Sequence, residues 1–412
     1  MQKLRTLSES AHLPLIAILS YLALMVTTLH LEVPILLSLH IELLLLLVAV
    51  GSSLHYIVFF EGKKFDYSHP LFFPALLALA FALSPLLSSF VMGDYLSILE
   101  DAEFKSFVKI LIFVPFVYYF ALKQETQKSL LNSLVIFYVI LGVYFLFRYF
   151  VLHEAREYDD RPTLSIRHGD PNFLCAFFSM TVPLAMLQAR DFFREKRFDQ
   201  GVIYSGISIF LAGCALVTES RMGLVALLIG VGIVGFYFIR SRKISLIPVL
   251  ASLAIGGIVI GIIGTQTPLF KRFSEIKDKS SSDRVLTYEN GVKVFFEHPL
   301  LGVGMNRAKD FYYENTRYPD FQSEGKQLVV HNTYLGLAAE LGLFGAAVFV
   351  GMILWALQGI LKSREDVRPF LISSLVIILL SAMTVGMAYK DLIIVQLFLL
   401  TGIAQSARRG IL

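Results

Sequence analysis

The chain has 412 residues, of which 56% are hydrophobic and 17% charged, and its mean hydropathy is +0.68. This composition excludes a single soluble core and predicts an all-α polytopic membrane protein. The net charge of +4 does not indicate a nucleic-acid partner, because the basic residues form short clusters between apolar segments. Cys175 and Cys214 both lie inside apolar runs, so they predict neither a disulfide framework nor a metal site.

Apolar stretches of about 20 residues predict about twelve transmembrane helices. They lie near 12–29, 33–59, 70–92, 106–122, 130–152, 171–189, 202–218, 222–239, 244–264, 331–357, 369–387 and 391–406. Clusters of Lys and Arg follow every second span, so the positive-inside rule predicts that both termini are cytoplasmic. The first span lacks a clear cleavage site and predicts a retained membrane helix. The chain 1–412 is therefore expected to form a single membrane domain.

One predicted outward connection, residues 265–330, is too long for a hairpin and too rich in aromatic and apolar residues to be a disordered tether. Ser282-Asp283 is a candidate N-cap, and His298-Pro299 is a candidate helix end. Between them apolar residues repeat at helical spacing, namely Val285, Tyr288, Val292, Phe295 and Phe296. The pattern predicts a large, partly helical loop with an amphipathic helix on or near the membrane surface.

Three arginines lie on the predicted outer side, against the positive-inside trend, and each is close to a predicted helix start. Arg221 follows the candidate cap Ser220, Arg284 follows the cap of the loop helix, and Arg167 precedes Asp170-Pro171. A cation at a helix N-terminus opposes the macrodipole by about 0.3–1 kcal/mol. The arrangement therefore favours a bound anion such as a diphosphate, although each arginine could instead extend to water or pair with a nearby carboxylate.

His331 lies at the predicted start of the tenth span, where a polar segment meets an apolar one. A neutral imidazole can take a proton from a sugar hydroxyl, a role that contributes about 10²–10⁴-fold to a rate. A histidine at a helix mouth can also be only a cap or an interfacial hydrogen-bonding residue. Asn332 can cap the same span or orient the imidazole ring, and the sequence leaves both roles open.

The motifs around these residues resemble those of the O-antigen ligase superfamily, which also contains O-antigen and exopolysaccharide polymerases. His331-Asn332 is followed, after nine residues, by Gly342-x-x-Gly345. Upstream, the resemblance includes Ser220-Arg221-Met222-Gly223 and His298-Pro299-Leu300-Leu301-Gly302-Val303-Gly304. The motif-bearing half of the chain is about 167–345.

The resemblance implies a membrane glycosyltransferase whose donor is a polysaccharide on undecaprenyl diphosphate. His331, Arg221 and Arg284 would be catalytic, and Arg221, Arg284, Arg167 and Asn332 would bind the diphosphate and glycan. The acceptor would be lipid A-core in a ligase or a second lipid-linked glycan in a polymerase, and the motif spacing favours the ligase. The site would face the periplasm from the bacterial inner membrane. The predicted outer side carries no metal-ligand pattern, so no metal or other cofactor is expected.

A secondary transporter is the alternative from another class, because twelve spans with cytoplasmic termini would suit one. Transporters place ionisable residues and interrupted helices near the membrane midplane. Here only Glu42 and Glu340 suggest a path through the membrane, whereas the other charged candidates gather on the predicted outer side. The sequence therefore favours the enzyme.

The predicted orientation can be tested by thiol labelling of the large loop. A cysteine at Ser323, in a background without Cys175 and Cys214, should react with a membrane-impermeant reagent in cells whose outer membrane is permeabilised. Labelling only after lysis of the inner membrane would reverse the orientation.

Overall fold

The structure is a computed structural model that describes residues 13–21, 41–60, 69–93, 95–153, 171–240, 279–311, 329–386 and 390–408. These ranges contain helices and short connections, and no β-strand occurs within them. In chain order the helices are α1 (13–21), α2 (Ile41–His55, continued by the π-helical Tyr56–Phe60), α3 (Phe72–Val91), α4 (Tyr95–Glu100), α5 (Ala102–Leu122), α6 (Gln124–Phe150), α7 (Pro171–Arg194), α8 (Phe198–Val217), α9 (Arg221–Arg240), α10 (Lys279–Glu297), α11 (Thr333–Leu361), α12 (Arg368–Ser381) and α13 (Lys390–Arg408).

Seven of the described helices are long and apolar enough to cross a membrane: α3, α5, α6, α7, α8, α9 and α11. Three shorter apolar helices, α2, α12 and α13, coincide with three further predicted spans. The prediction of an all-α protein with several membrane spans is confirmed. The count of twelve stays a prediction, because the ninth predicted span, 244–264, and part of the first lie outside the described residues.

Helix α7 lies at the centre of the bundle, buried along almost its whole length, and packs against α6, α8, α9 and α12. Ser374 Oγ on α12 donates to the Met180 carbonyl on α7 at 2.8 Å, and Gln396 Nε2 on α13 donates to Ser374 Oγ at 2.8 Å. Interhelical hydrogen bonds in membrane proteins contribute on average about 0.6 kcal/mol each. These bonds therefore contribute little to stability, and their main effect is to fix the positions of α7, α12 and α13 relative to one another along the helix axes.

Glycines set the close contacts between neighbouring helices. A Cβ at Gly230 of α9 would lie 2.5 Å from Ile377 Cδ1 of α12, and one at Gly402 of α13 would lie 2.6 Å from the Tyr118 carbonyl oxygen of α5. Small residues at such positions let helix backbones approach closely. Large apolar side chains remain exposed on the outer surfaces, as on α3 and α8, which suits contact with lipid.

An ion-pair cluster joins the last turn of α7 to the α11–α12 connection. Asp366 accepts hydrogen bonds from Arg364 at 2.8 and 3.1 Å and also from Arg194, and Arg190 Nη1 lies 3.5 Å from its carboxylate. Burial by itself would raise the pKa of Asp366, but these hydrogen bonds and positive charges together hold it well below its usual range. The carboxylate is thus ionised at neutral pH and holds the two segments together.

Helix α11 is interrupted at Gly342, which has φ 63° and ψ −164°. The interruption frees backbone N–H groups that a continuous helix would bond internally. Leu343 N donates to the Pro299 carbonyl at 2.8 Å, and Phe344 N donates to the Leu300 carbonyl at 3.2 Å. The turn after α10 therefore supplies the acceptors that the broken helix lacks.

The same turn also donates hydrogen bonds to the carbonyl groups of α11 that precede the interruption. Val303 N donates to the Ala339 carbonyl at 3.1 Å, and Gly304 N donates to the Glu340 carbonyl at 2.9 Å. Ser88 Oγ of α3 donates to the Glu340 carbonyl at 2.9 Å and also lies within hydrogen-bonding distance of the Leu301 carbonyl. Residues 299–304 are therefore fixed by backbone bonds inside the break of α11, and α3 closes the junction.

Glycine is required on both sides of this junction because the two backbones nearly touch. A Cβ at Gly342 would lie 2.4 Å from the Leu300 carbonyl carbon, and one at Gly302 would lie 2.4 Å from the Glu340 carbonyl. Both glycines also have positive φ, 63° and 71°, which L side chains rarely adopt. The Gly-x-Gly and Gly-x-x-Gly motifs of the sequence are thus partners in one contact.

We expect Gly342→Ala to lower the thermal unfolding temperature of the purified protein clearly. The strained backbone alone costs about 1–3 kcal/mol for a non-glycine residue, and the collision with Leu300 adds to that. Gly351→Ala on the same helix is the matched control, since a Cβ there meets nothing within 4 Å. Equal melting of the two variants would show that the junction does not constrain the fold.

Candidate active site

Helix α10 carries one of the predicted site arginines, and it begins at Lys279 rather than at the predicted cap. Ser282-Asp283 lies inside the helix, so the prediction of an N-cap at that position is wrong. The predicted end is confirmed, because α10 stops at Glu297 and His298 N donates to the Val294 carbonyl at 3.0 Å. The apolar spacing identified the helix, whereas the capping signal misplaced its start.

One face of α10 packs on the beginning of α11. This face is formed by Thr287, Asn290, Gly291 and Val294, which are all buried. A Cβ at Gly291 would lie 2.9 Å from Leu335 Cγ, so the glycine sets the close approach of the two helices. The predicted apolar residues Val285, Val292 and Phe296 lie exposed on the other side. The helix is therefore amphipathic, but these three of the apolar residues that predicted it do not form the protein contact.

Tyr288 joins α10 to the start of α11 directly. Its hydroxyl lies 3.0 Å from the His331 carbonyl oxygen and 3.1 Å from the Met383 carbonyl oxygen, and it also interacts with the Asn332 side chain. Burial raises the pKa of Tyr288, while the charge of Arg284 one turn earlier opposes the shift. The phenol therefore stays protonated as a donor, and the helix that carries Arg284 is held against the His331-Asn332 segment.

The start of α11 is fixed by capping and by the turn after α12. Asn332 is the N-cap residue, and its side-chain oxygen accepts from Leu335 N at 3.1 Å. Thr333 N donates to the Ala382 carbonyl at 2.9 Å, and Thr333 Oγ1 donates to the Val385 carbonyl at 2.8 Å. Helix α12 ends at Ser381, before the predicted end at 387, because residues 382–386 form this turn. His331 is thereby placed, half-buried, at the mouth of α11.

Arg221 begins α9, and its position is set by a second cap. Ser220 is buried, accepts from Gly223 N at 3.2 Å and donates to Asn172 Oδ1 at 2.8 Å. A Cβ at Gly223 would lie 2.2 Å from Cys175 Sγ. The predicted cap is confirmed, and the Ser-Arg-x-Gly motif brings together the N-termini of α7 and α9, two positive helix ends.

The connection before Arg221 contains a strained acidic residue. Glu219 is buried and has φ 56°, in the left-handed region that costs a non-glycine residue on the order of 1–2 kcal/mol. Strain of this kind concentrates at functional sites. A buried carboxylate and Arg221 thus lie two residues apart in the chain, where two helices begin.

Arg221 and the His331 segment are brought to one end of the bundle by α12. Helices α9 and α11 both pack against α12, and both begin at the end where α12 finishes. The turn 382–386 at that end contacts Tyr288 and Thr333. We call this the His331 end. Three of the predicted residues, His331, Arg284 and Arg221, lie there with Asn332.

Other predicted features lie outside the described residues. Arg167, Asp170 and most of the loop on either side of α10, residues 265–278 and 312–328, belong to this group. Pro171 is the first residue of α7, as the predicted Asp-Pro start requires. The role of Arg167 stays a prediction.

The buried carboxylate Glu340 has a structural contact in the loop. Its Oε2 accepts from Asn306 N at 2.7 Å, so it ties the residues after the glycine turn to α11. Asn306 itself has φ 60°. This hydrogen bond agrees with a structural role and does not support an ion path. The side chain of Glu42 lies outside the described part of the chain.

Sequence reasoning missed two further arginines at the His331 end. Arg148, in the last turn of α6, is buried and lies with its guanidinium carbon 5.7 Å from the centre of the Tyr144 ring. Arg307, half-buried after the glycine turn, donates from Nη2 to Ser97 Oγ at 3.4 Å. An ionisable residue within an apolar span could have identified Arg148. No local pattern distinguished Arg307.

The fold and the grouping of motif residues define a multi-pass helical membrane protein with a candidate site at one end of its bundle. The family model described as O-antigen ligase matches residues 206–350, a segment that contains Arg221, Arg284 and His331. The match supports membership of the O-antigen ligase superfamily, and the resemblance based on the motifs is confirmed. No curated protein matches the chain.

We expect Tyr288→Phe to reduce activity, because the His331-Asn332 segment can then shift relative to α10. Loss of the hydroxyl removes its hydrogen bonding to the His331 and Met383 carbonyls, and one such bond has a net contribution of about 0.5–1.5 kcal/mol. Small displacements of catalytic groups are costly, so the transfer rate should fall on the order of tenfold or more.

Tyr237→Phe at the opposite end of α9 provides the control for the loss of a phenolic hydroxyl. Transfer rates and melting temperatures of both variants should be measured in parallel. Wild-type transfer by Tyr288→Phe would show that this contact does not position the site.

Proposed function

We propose that the chain is a membrane glycosyltransferase that transfers a polysaccharide from undecaprenyl diphosphate to a sugar hydroxyl of lipid A-core. The superfamily implies a glycosyltransferase-like enzyme that acts on lipid-linked glycans. The observation that carries the proposal is the contact of Tyr288 with the His331 carbonyl, because it holds a cation-bearing helix against a candidate base.

In the proposed site, arginines bind the donor diphosphate. Arg221 lies at the N-terminus of α9, where the helix dipole adds to its positive charge. Arg284 lies one turn from Tyr288 on α10, and Arg167 would add a third guanidinium. Planar guanidinium groups can each bind two phosphate oxygens and can stabilise the charge that develops on the leaving group. Arginine would thus perform the task that a divalent cation performs in other transferases.

His331 acts as the general base in this proposal. The acceptor oxygen attacks the anomeric carbon while its proton passes to the imidazole of His331. The bond from the anomeric carbon to the phosphate oxygen breaks, and its electron pair leaves with the undecaprenyl diphosphate. A single displacement inverts the anomeric configuration. Asn332, which caps α11, fixes the backbone from which His331 projects and lies close enough to the proposed site to contact the glycan.

The protein would lie in the bacterial inner membrane with the His331 end facing the periplasm. The predicted orientation supports this placement, because cationic clusters such as Arg190, Arg194 and Arg364 lie at the other end of the described bundle. The lipid-linked donor would then approach α10 from the outer leaflet. Its exposed apolar residues, among them Val285 and Phe296, suit a helix beside lipid.

Purified protein, a lipid-linked glycan and two alternative acceptors test this function. We expect transfer to lipid A-core, no joining of two lipid-linked units, and full activity in EDTA because arginines neutralise the diphosphate. Joining of lipid-linked units without transfer to lipid A-core would identify a polymerase. Loss of activity in EDTA that Mg²⁺ restores would contradict the arginine site.

In the same assay, His331→Gln distinguishes the role of His331 as a general base from a role as a helix cap. Glutamine keeps a hydrogen-bonding group but cannot accept the proton, so the rate should fall by about 10²–10⁴-fold while the donor remains bound. Arg284→Lys keeps the charge but loses the planar fork, so it should weaken retention of the donor. Near wild-type transfer by His331→Gln would remove the histidine from the chemistry.

A further inference from the structure

A cavity of about 390 Å³ lies at the end of the bundle opposite His331, between the last turns of α11 and α13. We call this the Lys362 end. The cavity is lined by Trp355, Gln358, Gly359, Lys362, Gln405 and Arg408. Two of these residues are cations, two carry amide groups, and none is acidic. We propose that this cavity binds the phosphate headgroup of an anionic phospholipid from the membrane leaflet at that end.

The charges of the cavity select an anion. Lys362 and Arg408 are both exposed, Lys362 as the C-cap of α11 and Arg408 as the last residue of α13. The C-termini of the two helices oppose an anion with about half a negative charge each. Two full positive charges outweigh these two partial ones, so the cavity retains a net positive charge of about one. Basic pockets between transmembrane helices are suited to lipid headgroups for this reason.

The amide groups supply directional hydrogen bonds beside the cations. Tyr118 Oη donates to Gln405 Oε1 at 2.8 Å, which fixes the amide and leaves its NH₂ group as a donor. A Cβ at Gly359 would be in ordinary contact, 3.5 Å from Thr401 Cγ2, so α11 and α13 lie close together beside the cavity. These donors line a cavity large enough for a phosphate ester.

The surroundings of the cavity favour a lipid over a soluble anion. The Trp355 ring packs against Phe73, Tyr118 and Phe398, with centroid separations of 5.6, 5.3 and 5.3 Å. Aromatic residues of this kind mark the boundary between the hydrocarbon region and the headgroups. The face of α11 that carries Gln358 also carries the exposed Leu354 and Leu361, one turn to either side. A headgroup in the cavity would thus place its acyl chain along an apolar surface.

The experiment uses Trp355, which is the only tryptophan in the chain, as a reporter inside the cavity. The full-length protein is reconstituted in vesicles that contain equal fractions of phosphatidylglycerol and phosphatidylcholine. In one sample the phosphatidylglycerol carries brominated acyl chains, and in the other the phosphatidylcholine does. We expect stronger quenching of tryptophan emission by brominated phosphatidylglycerol. Equal quenching by the two lipids would overturn the proposal, and this comparison needs no variant.

Variants then assign the preference to the two cations. Each cation attracts an anionic lipid, so Lys362→Gln with Arg408→Gln should reduce the preference for phosphatidylglycerol by about thirtyfold. Arg240→Gln removes an exposed cation from the last turn of α9 at the same end, outside the cavity, and should leave the preference unchanged. If the preference for phosphatidylglycerol is lost in both the double variant and Arg240→Gln, or in neither, the proposed site is wrong.

A final experiment distinguishes binding of a lipid headgroup from binding of free phosphate. Quenching is repeated with potassium phosphate in place of potassium chloride at equal ionic strength. The preference for phosphatidylglycerol should persist, because a lipid is concentrated at the surface where the cavity opens. If inorganic phosphate abolishes it, the site binds a soluble anion and the assignment to lipid is wrong.

Discussion

The backbone junction between the interrupted helix α11 and the turn 299–304 is the constraint on which the His331 end depends. A helix inside a membrane must satisfy its N–H and C=O groups within the protein, because lipid offers no partners. The break at Gly342 leaves such groups open, and the glycine turn bonds with them on both sides. The turn follows α10 directly, so the junction also fixes where α10 lies. The large loop is thereby attached to the membrane helices by backbone bonds that a side-chain substitution cannot directly remove.

The position of α10 contributes to the concentration of positive charge at the His331 end. Helices α7 and α9 present positive N-termini that Ser220 joins to each other, and α10 brings Arg284 to the mouth of α11. These positive charges repel one another, and the packing of the helices holds them together against that repulsion. A polyanionic ligand would relieve the repulsion. Ser220 directly precedes Arg221 and Asn332 directly follows His331, so each capping bond fixes the backbone from which one of these two residues projects.

The two ends of the bundle are stabilised in different ways. At the His331 end, glycines and main-chain bonds hold the site in a narrow range of positions. At the Lys362 end, ion pairs around Asp366 join α7 to the α11–α12 connection, and aromatic rings surround Trp355. Ion pairs and rings tolerate small shifts, whereas the glycine junction does not. A lipid held between α11 and α13 would add its own contacts at the more adaptable end and would stabilise the helix that follows His331.

The sequence by itself determined the class of protein, the positions of most membrane helices and the residues that could act on a diphosphate. These features depend on apolar run length, charge clusters and short motifs, which are local properties. Only the tertiary structure decided that Gly302 and Gly342 are partners, that Tyr288 joins Arg284 to His331, and that α12 ends early to bind Thr333. Each is a contact between segments distant in sequence, and no residue pattern encodes which distant backbone atom will lie 2.4 Å from a missing Cβ. Those contacts are determined by how the helices of the bundle pack together.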